Sequence, residues 1–300
     1  AARRGRCKSV FIGINYPGTS AELSGCINDV VTMQNLVQAH GLELSANTCR
    51  VLVDDARAYK GTIPVHAKPT KRNILDALRW LSDGANPGDT LFLHYSGHGT
   101  QMRDQDGDEA DGYDEAIVPA DYNHMGCIRD DDVFAIVCRD LPRGVRVTCI
   151  ADCCHAGSIM DLEFEWRWRG ETFIAAPPRK RQSGNRPGVR TRDFKIVSKK
   201  STEADVLLFS GCKDEQTSSD VSNVSNFHHK YSGPGKAGGA CTNAMAETLA
   251  SGPSSAPGYG KLLELMQQNL KRRRFTQVPQ LSASRKIDMH RPFSLFGDLS

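Results

Sequence analysis

Short, nearly continuous apolar runs alternate along this chain with segments whose apolar residues recur at helical spacing. Lys8 to Asn15, Thr48 to Val53, Asp89 to His94, Val145 to Ile150 and Asp205 to Ser210 read as strands. Between them, Asp29 to His40 presents Val30, Met33, Leu36 and Val37 on one face and stops at Gly41. Thr70 can cap a helix running to Leu81, with Ile74, Leu75, Leu78 and Leu81 turned inward. Helices are also predicted over Gly239 to Leu249 and Tyr259 to Arg273. Strand and helix in alternation predict βαβ units and a mainly parallel sheet, whose buried strands read as unbroken apolar runs because both faces are covered.

Two of these strands lead straight into strings of unusual composition. Asp89 to His94 precedes Tyr95-Ser96-Gly97-His98-Gly99, and Val145 to Ile150 precedes Ala151-Asp152-Cys153-Cys154-His155-Ala156-Gly157. A histidine and a pair of cysteines therefore follow the carboxyl ends of two strands, where open α/β sheets carry their sites. A thiol is only a few per cent thiolate at neutral pH, so a nucleophilic cysteine needs a base beside it. Gly97 and Gly99 flank His98 and allow backbone angles and close approaches that other residues would obstruct. His94 lies on the strand and reads as packed. His155, adjacent to the cysteines in sequence, reads as a loop-fixing hydrogen bonder.

Composition narrows the classes. A chain of 300 residues with 39% hydrophobic content supports a large core, and a net charge of +3 is too small to imply nucleic acid. No apolar run is long enough for a membrane span. The ten cysteines are scattered, some within strand-like runs (Cys49, Cys149), without zinc-binding spacing, so reduced thiols in an intracellular, cytoplasmic setting are expected. The chain opens at Ala1 and not at Met, so upstream signals are expected to be missing. From Arg167 to Lys200 the composition turns basic and rich in Gly and Pro, which predicts an exposed, flexible loop between a first region (1–166) and a second (201–300). Ser218 to Gly238 reads as a second loop.

Asp104 to Asp121 carries six Asp and two Glu, and Asp130-Asp131-Asp132 follows. It is not an EF-hand, because Glu109 stands where the sharp turn needs Gly. Carboxylates about 5 Å apart repel by roughly 3 kcal/mol at an effective dielectric of about 20, so folding such a cluster favours a cation. Oxygen ligands suit Ca²⁺.

The two strings at the strand ends resemble the catalytic His and Cys motifs of the metacaspases, caspase-like (clan CD) cysteine peptidases, and the type I group fits best. The supporting blocks are Leu23-Ser24-Gly25-Cys26-Ile27-Asn28-Asp29, the acidic stretch, Ser210-Gly211-Cys212-Lys213-Asp214-Glu215-Gln216-Thr217-Ser218 and Gly239-Ala240-Cys241-Thr242, in the family's order from about Lys8 to Phe296. Ala156 departs from the family's usual Ser, and Cys241 from a larger apolar residue. The resemblance implies a caspase-like three-layer α/β sandwich, with a p20-like region before the basic loop and a p10-like region after it, together one compact peptidase domain. It selects Cys154 over Cys153 as the nucleophile, with His98 as its general base and acid. Backbone N–H groups of Gly99 and Cys154 are expected to form the oxyanion hole. No third member of a triad is evident.

In the family, residues at the positions of Asp29, Asp152, Ser96 and Cys26 line the pocket for the side chain preceding the cut bond. Asp29 also reads as a helix cap. An aspartate beside a nucleophile disfavours thiolate, and holding a cationic side chain gives it a reason to be there. Truncating one side of a buried charge pair costs roughly 2–5 kcal/mol, so Arg and Lys should be preferred and Asp rejected. The family's calcium ligands map onto Asp114, Asp130, Asp131 and Asp161. The expectation is a monomeric, calcium-dependent endopeptidase acting on protein or peptide substrates with Arg or Lys before the cut bond, and cutting itself within the basic loop or in the Ser218 to Gly238 loop. Two other classes fit parts of the pattern: a non-catalytic scaffold using the same groove, and a calcium-sensing regulatory domain that needs no His–Cys pair.

Overall fold

A computed structural model of the chain describes residues 5–103, 113–153, 159–169, 172–174, 195–196, 200–211, 220–221, 227, 229–233, 237–250 and 257–297. Cys154, residues 104–112 of the acidic stretch, and most of the expected loops at 167–200 and 218–238 lie outside the described residues.

A ten-stranded sheet runs through the molecule. Six strands are parallel, in the spatial order β3 (Val65–Ala67), β2 (Cys49–Val53), β1 (Cys7–Gly13), β4 (Thr90–Ser96), β8 (Arg146–Asp152) and β12 (Asp205–Ser210). β15 (Gln280–Ala283) pairs antiparallel with β12, and β9 (Phe164–Arg169) antiparallel with β15. β9 in turn carries β10 (Thr172–Ile174) and β11 (Lys195–Ile196). Two small sheets lie apart: β5 (Gly99–Arg103) with β6 (Tyr113–Ile117) and β7 (Ile128–Arg129), and β13 (Asp220–Val221) with β14 (Gly238–Gly239).

Successive residues on a strand face opposite sides, and the core divides accordingly. Phe11, Phe92, Ile150 and Phe209 pack with α1 (Cys26–Ala39), α5 (Ala240–Thr248) and α6 (Tyr259–Arg272). Val10, Ile12, Leu91, Leu93 and Cys149 pack on the other side with α2 (Lys71–Ser82) and α4 (Asp130–Val137). The remaining helix, α3 (Tyr122–Met125), is a single turn. The result is a three-layer α/β sandwich. Every residue of β4 and β8 is buried, as strands covered on both faces must be.

Local expectations fared unevenly. Thr70 caps α2 as expected, its hydroxyl accepting the Asn73 N–H at 3.3 Å. Ala77 joins Ile74, Leu78 and Leu81 inside, and Leu75 sits at the edge of the face. α1 begins at Cys26, three residues earlier than its apolar spacing suggests, because Asn28 and Asp29 are buried and disguise the inward face. Asp29 is therefore not the helix cap; Gly25 holds that position. The chain also does not leave the sheet at Arg167, which is a buried residue of β9. Phe164-Glu165-Trp166-Arg167 alternates apolar and charged residues as a strand does, and its basic residues masked that period.

Candidate active site

The register of the sheet builds the site's floor. Gly13 of β1 pairs with Ser96 of β4, and Ser96 pairs with Asp152 of β8, so three strands end in one row. Two residues beyond that row, β4 leads to His98 and β8 leads to Cys154. Cys153 is fully buried in the core beside Cys149 and Ala151.

Two of the four expected pocket residues meet directly, and a third lies across Gly239 from them. The Ser96 hydroxyl donates to Asp29 Oδ2 at 2.7 Å, and the Gly239 N–H donates to both Asp29 oxygens at 2.8 Å. Asn243 Nδ2 adds a longer contact of 3.4 Å. Asp152 Oδ2 accepts the Thr242 N–H at 2.7 Å, in the first turn of α5, where free N–H groups and the helix dipole favour a negative charge. Gly239 lies between the two acids. A Cβ there would stand 2.1 Å from Asp152 Oδ2 and 2.8 Å from Asp29 Oδ2, so the carboxylates can come together only because this residue has no side chain. Cys26 opens α1 one turn before Asp29, buried, its N–H donated to Asn15 Oδ1 at 3.0 Å.

His98 is half-buried and held on several sides. Its Nε2 lies 2.8 Å from the Ala21 carbonyl oxygen. A carbonyl can only accept, so Nε2 carries the hydrogen and the basic nitrogen of the neutral ring is Nδ1. The Tyr16 ring packs on the imidazole, centroids 4.8 Å apart. The His98 N–H donates to Tyr16 Oη at 3.0 Å, and the His98 carbonyl accepts from Tyr95 Oη at 2.6 Å. Gly99, the expected oxyanion donor, opens β5 directly after the histidine and pairs with Ile117. His94 is fully buried, as read, its Nδ1 3.0 Å from the Ile150 carbonyl; burial pushes its pKa down to about 4.

The acidic residues gather at the other end of the small sheet. Asp114 of β6 and Asp130 and Asp131 of α4 each offer an oxygen within 4.8 Å of the others. Asp130 accepts the N–H groups of Asp131 at 2.9 Å and Glu115 at 3.2 Å. Asp161 is joined to the group by Lys200, whose ammonium contacts both Asp131 Oδ1 and Asp161 Oδ2. Arg129 pairs with Asp114 at 3.2 Å. All four expected calcium ligands are thus in one neighbourhood, and two cationic side chains, Lys200 and Arg129, already pair with them. The donor set, carboxylate oxygens from three segments, fits a hard divalent ion.

Three features of the site carried no recognisable signal in the sequence. The Ala21 carbonyl orients the imidazole, and a backbone oxygen leaves no mark on residue identity. Tyr16 and Lys200 act across 82 and 69 residues of chain. Gly239 was visible only as part of a motif block.

A histidine and a cysteine leading from adjacent parallel strands, over a three-layer sandwich, define a caspase-like cysteine peptidase. Residues 7–163 match the family described as Metacaspase, peptidase C14 domain, and the chain belongs to that family. It is 43% identical over 288 residues to Metacaspase-3 of Trypanosoma brucei brucei, covering 96% of this chain and 74% of that protein. It is 40% identical to Metacaspase-5 of Trypanosoma cruzi (strain CL Brener), over 99% of this chain and 61% of that longer protein, and 37% identical to Metacaspase-1 of Mycosarcoma maydis, over 96% of this chain. Among solved structures, protein GSU0716 of Geobacter sulfurreducens shares the fold, with a TM-score of 0.58 at 19% identity and 96% of this chain covered. No helix among the described residues is long and apolar enough to cross a membrane.

Proposed function

We propose that this chain is a calcium-dependent endopeptidase that cuts after Arg or Lys through a Cys154–His98 dyad. The observation that carries the reading is the pairing of Asp29 and Asp152 around Gly239, on the row from which His98 and Cys154 lead. A substrate Arg or Lys would complement two buried carboxylates held side by side next to the expected nucleophile. His98 draws the proton from Cys154 through Nδ1, the sulfur attacks the scissile carbonyl, and the imidazolium then protonates the leaving amine. His98 next activates water to release the acyl group. N–H groups of Gly99 and Cys154 stabilise the oxyanion. Bonds in the basic segment between Arg167 and Lys200 offer the same pocket a substrate in cis, so self-cleavage there belongs to this reading.

Asp114, Asp130, Asp131 and Asp161 would hold calcium, whose charge neutralises the cluster. Lys200 supports this assignment, because its ammonium bridges two of those carboxylates in a position a metal ion would take. The cluster is linked to the histidine through β6, where Asp114 pairs with Met102 and Ile117 with Gly99.

Turnover of an arginine-ended peptide amide tests the assignment of roles. Cys154→Ala and His98→Ala should each lose at least roughly a hundredfold in rate, whereas Cys153→Ala should keep most of it. If Cys153→Ala proves inactive and Cys154→Ala active, the nucleophile is misassigned.

A further inference from the structure

The connection after β1 contains a strained residue, several of whose contacts converge on one ring. Tyr16 has φ +50°, a conformation seldom adopted by a bulky residue. The Asp54 carboxylate fixes it there by accepting the N–H groups of Tyr16 at 2.6 Å and Asn15 at 3.1 Å. The side chain then reaches 82 residues along the chain to His98, with its ring against the imidazole and its hydroxyl accepting the His98 N–H at 3.0 Å. The same hydroxyl donates to the Val118 carbonyl at 2.7 Å, and burial pushes its pKa well up, so it keeps its proton. The backbone of Tyr16 grips the other end of the ring. Its carbonyl accepts from Thr19 Oγ1 at 2.8 Å, Thr19 Oγ1 accepts the Ala21 N–H at 3.2 Å, and the Ala21 carbonyl accepts from His98 Nε2 at 2.8 Å. The circuit from Tyr16 through Thr19 and Ala21 to His98 closes back on Tyr16. Gly97 completes the fit: a Cβ there would lie 2.8 Å from Tyr95 Oη and 3.0 Å from Tyr16 Oη, so the residue before the histidine must be glycine for both hydroxyls to reach.

We infer that Tyr16 is the positioning residue of His98, fixing the ring by tilted ring-on-ring packing, the backbone by its hydroxyl, and the Nε2–H tautomer through the loop that presents Ala21. This rests on His98 being the general base and acid. A base works only when its lone pair is held within a narrow range of the group it serves, and a side chain locked by surrounding packing and hydrogen bonds meets that need. Strain at Tyr16 is consistent with such a role, since unfavourable backbone angles persist where the surroundings over-determine them.

The test compares Tyr16→Phe and Tyr16→Leu for kcat and KM on an arginine-ended peptide, and for the ¹⁵N spectrum of the His98 ring. Phe keeps the ring packing and loses the hydroxyl; it should lower kcat about tenfold, the usual cost of one buried hydrogen bond, with KM within about twofold. Leu removes both and should lower kcat by about a hundredfold. Leu, which also loosens the packing that seats the Tyr16–Ala21 loop, should move the ring from the pure Nε2–H tautomer to a mixture, whereas Phe keeps the backbone circuit through Thr19 and Ala21 and should leave the tautomer unchanged. A Phe variant with kcat within about twofold of the parent overturns the inference, and it decides the matter if the Leu variant does not fold. His98→Ala, run alongside, separates the two levels. If that variant retains the parent rate, the dyad reading itself falls, whatever the Tyr16 variants do; if it is inactive while both Tyr16 variants match the parent, only the positioning role falls.

Discussion

His94 and His98 stand four positions apart and answer to opposite surroundings. His94 is fully buried inside the sheet, with one ring nitrogen on the Ile150 carbonyl, and burial holds its pKa at about 4 against 6.5 for an ordinary imidazole. A base whose pKa is lowered by folding binds its proton more readily in the unfolded chain. Its contribution to stability is therefore complete above about pH 6.5 and is lost as pH falls toward 4, amounting to about 3 kcal/mol. Urea unfolding at pH 7 and at pH 4.5 should show a steeper loss in the parent than in His94→Gln. Equal slopes would contradict a buried neutral His94. His98, by contrast, lies past the strand end, half-buried and gripped from three sides. Residue type alone distinguishes neither histidine, but the strand's apolar run does, since it encloses His94 and stops before His98. The two cysteines were harder to separate. Burial explains afterwards why Cys153 packs with the core, whereas in the sequence the choice rested on the family motif.

At the scale of elements, strands and helices with strong periodicity were legible, and those defined by distant partners were not. β4, β8 and β12 announce themselves as apolar runs because a sheet covered on both faces admits little else. β5, β6 and β7 have mixed composition and form only because they pair with one another, so nothing local marks them. β9 could have been read from the alternation of Phe164, Glu165, Trp166 and Arg167; its charged residues are satisfied inside the fold, with Arg167 against Glu165 and Gln280, and do not signal solvent. The pocket depends on where α5 begins. Gly239 precedes its first turn and separates the two acids by the thickness of a backbone. Gly239→Ala should push at least one carboxylate away and lower kcat/KM for arginine-ended peptides by roughly thirtyfold or more, on the scale of a broken buried charge contact. A variant with parent-like kcat/KM would mean that the two acids do not act together.

Across the whole molecule, one sheet carries the strands of both regions, and the segment that sequence composition marks as a divide interrupts the chain without dividing the core. Lys200 sits at the boundary. It immediately precedes the second region's first residues and places its ammonium between Asp131 and Asp161. Calcium binding at those carboxylates would have to displace it, so the internal cation and the metal compete for one place. Calorimetry on the Cys154→Ala protein, which by the proposed dyad would be unable to cut itself, should give calcium about tenfold tighter binding in Lys200→Met than in the parent, and no binding heat in Asp131→Ala. Equal affinity with and without the lysine would show that the metal binds elsewhere. The acidic cluster was legible as a charge run. Its internal counter-charge was not, because a single lysine at the end of a basic stretch looks like any other.

The most direct measurement is the initial rate of the unmodified protein on three matched peptide amides ending in Arg, Lys or Asp, each with and without millimolar calcium. Rapid hydrolysis after Arg and Lys, none after Asp, and a strict requirement for calcium are expected. Cleavage after Asp at a rate equal to that after Arg would contradict the acidic pocket, and rates unchanged by calcium would reduce the cluster around Lys200 to a structural ion pair.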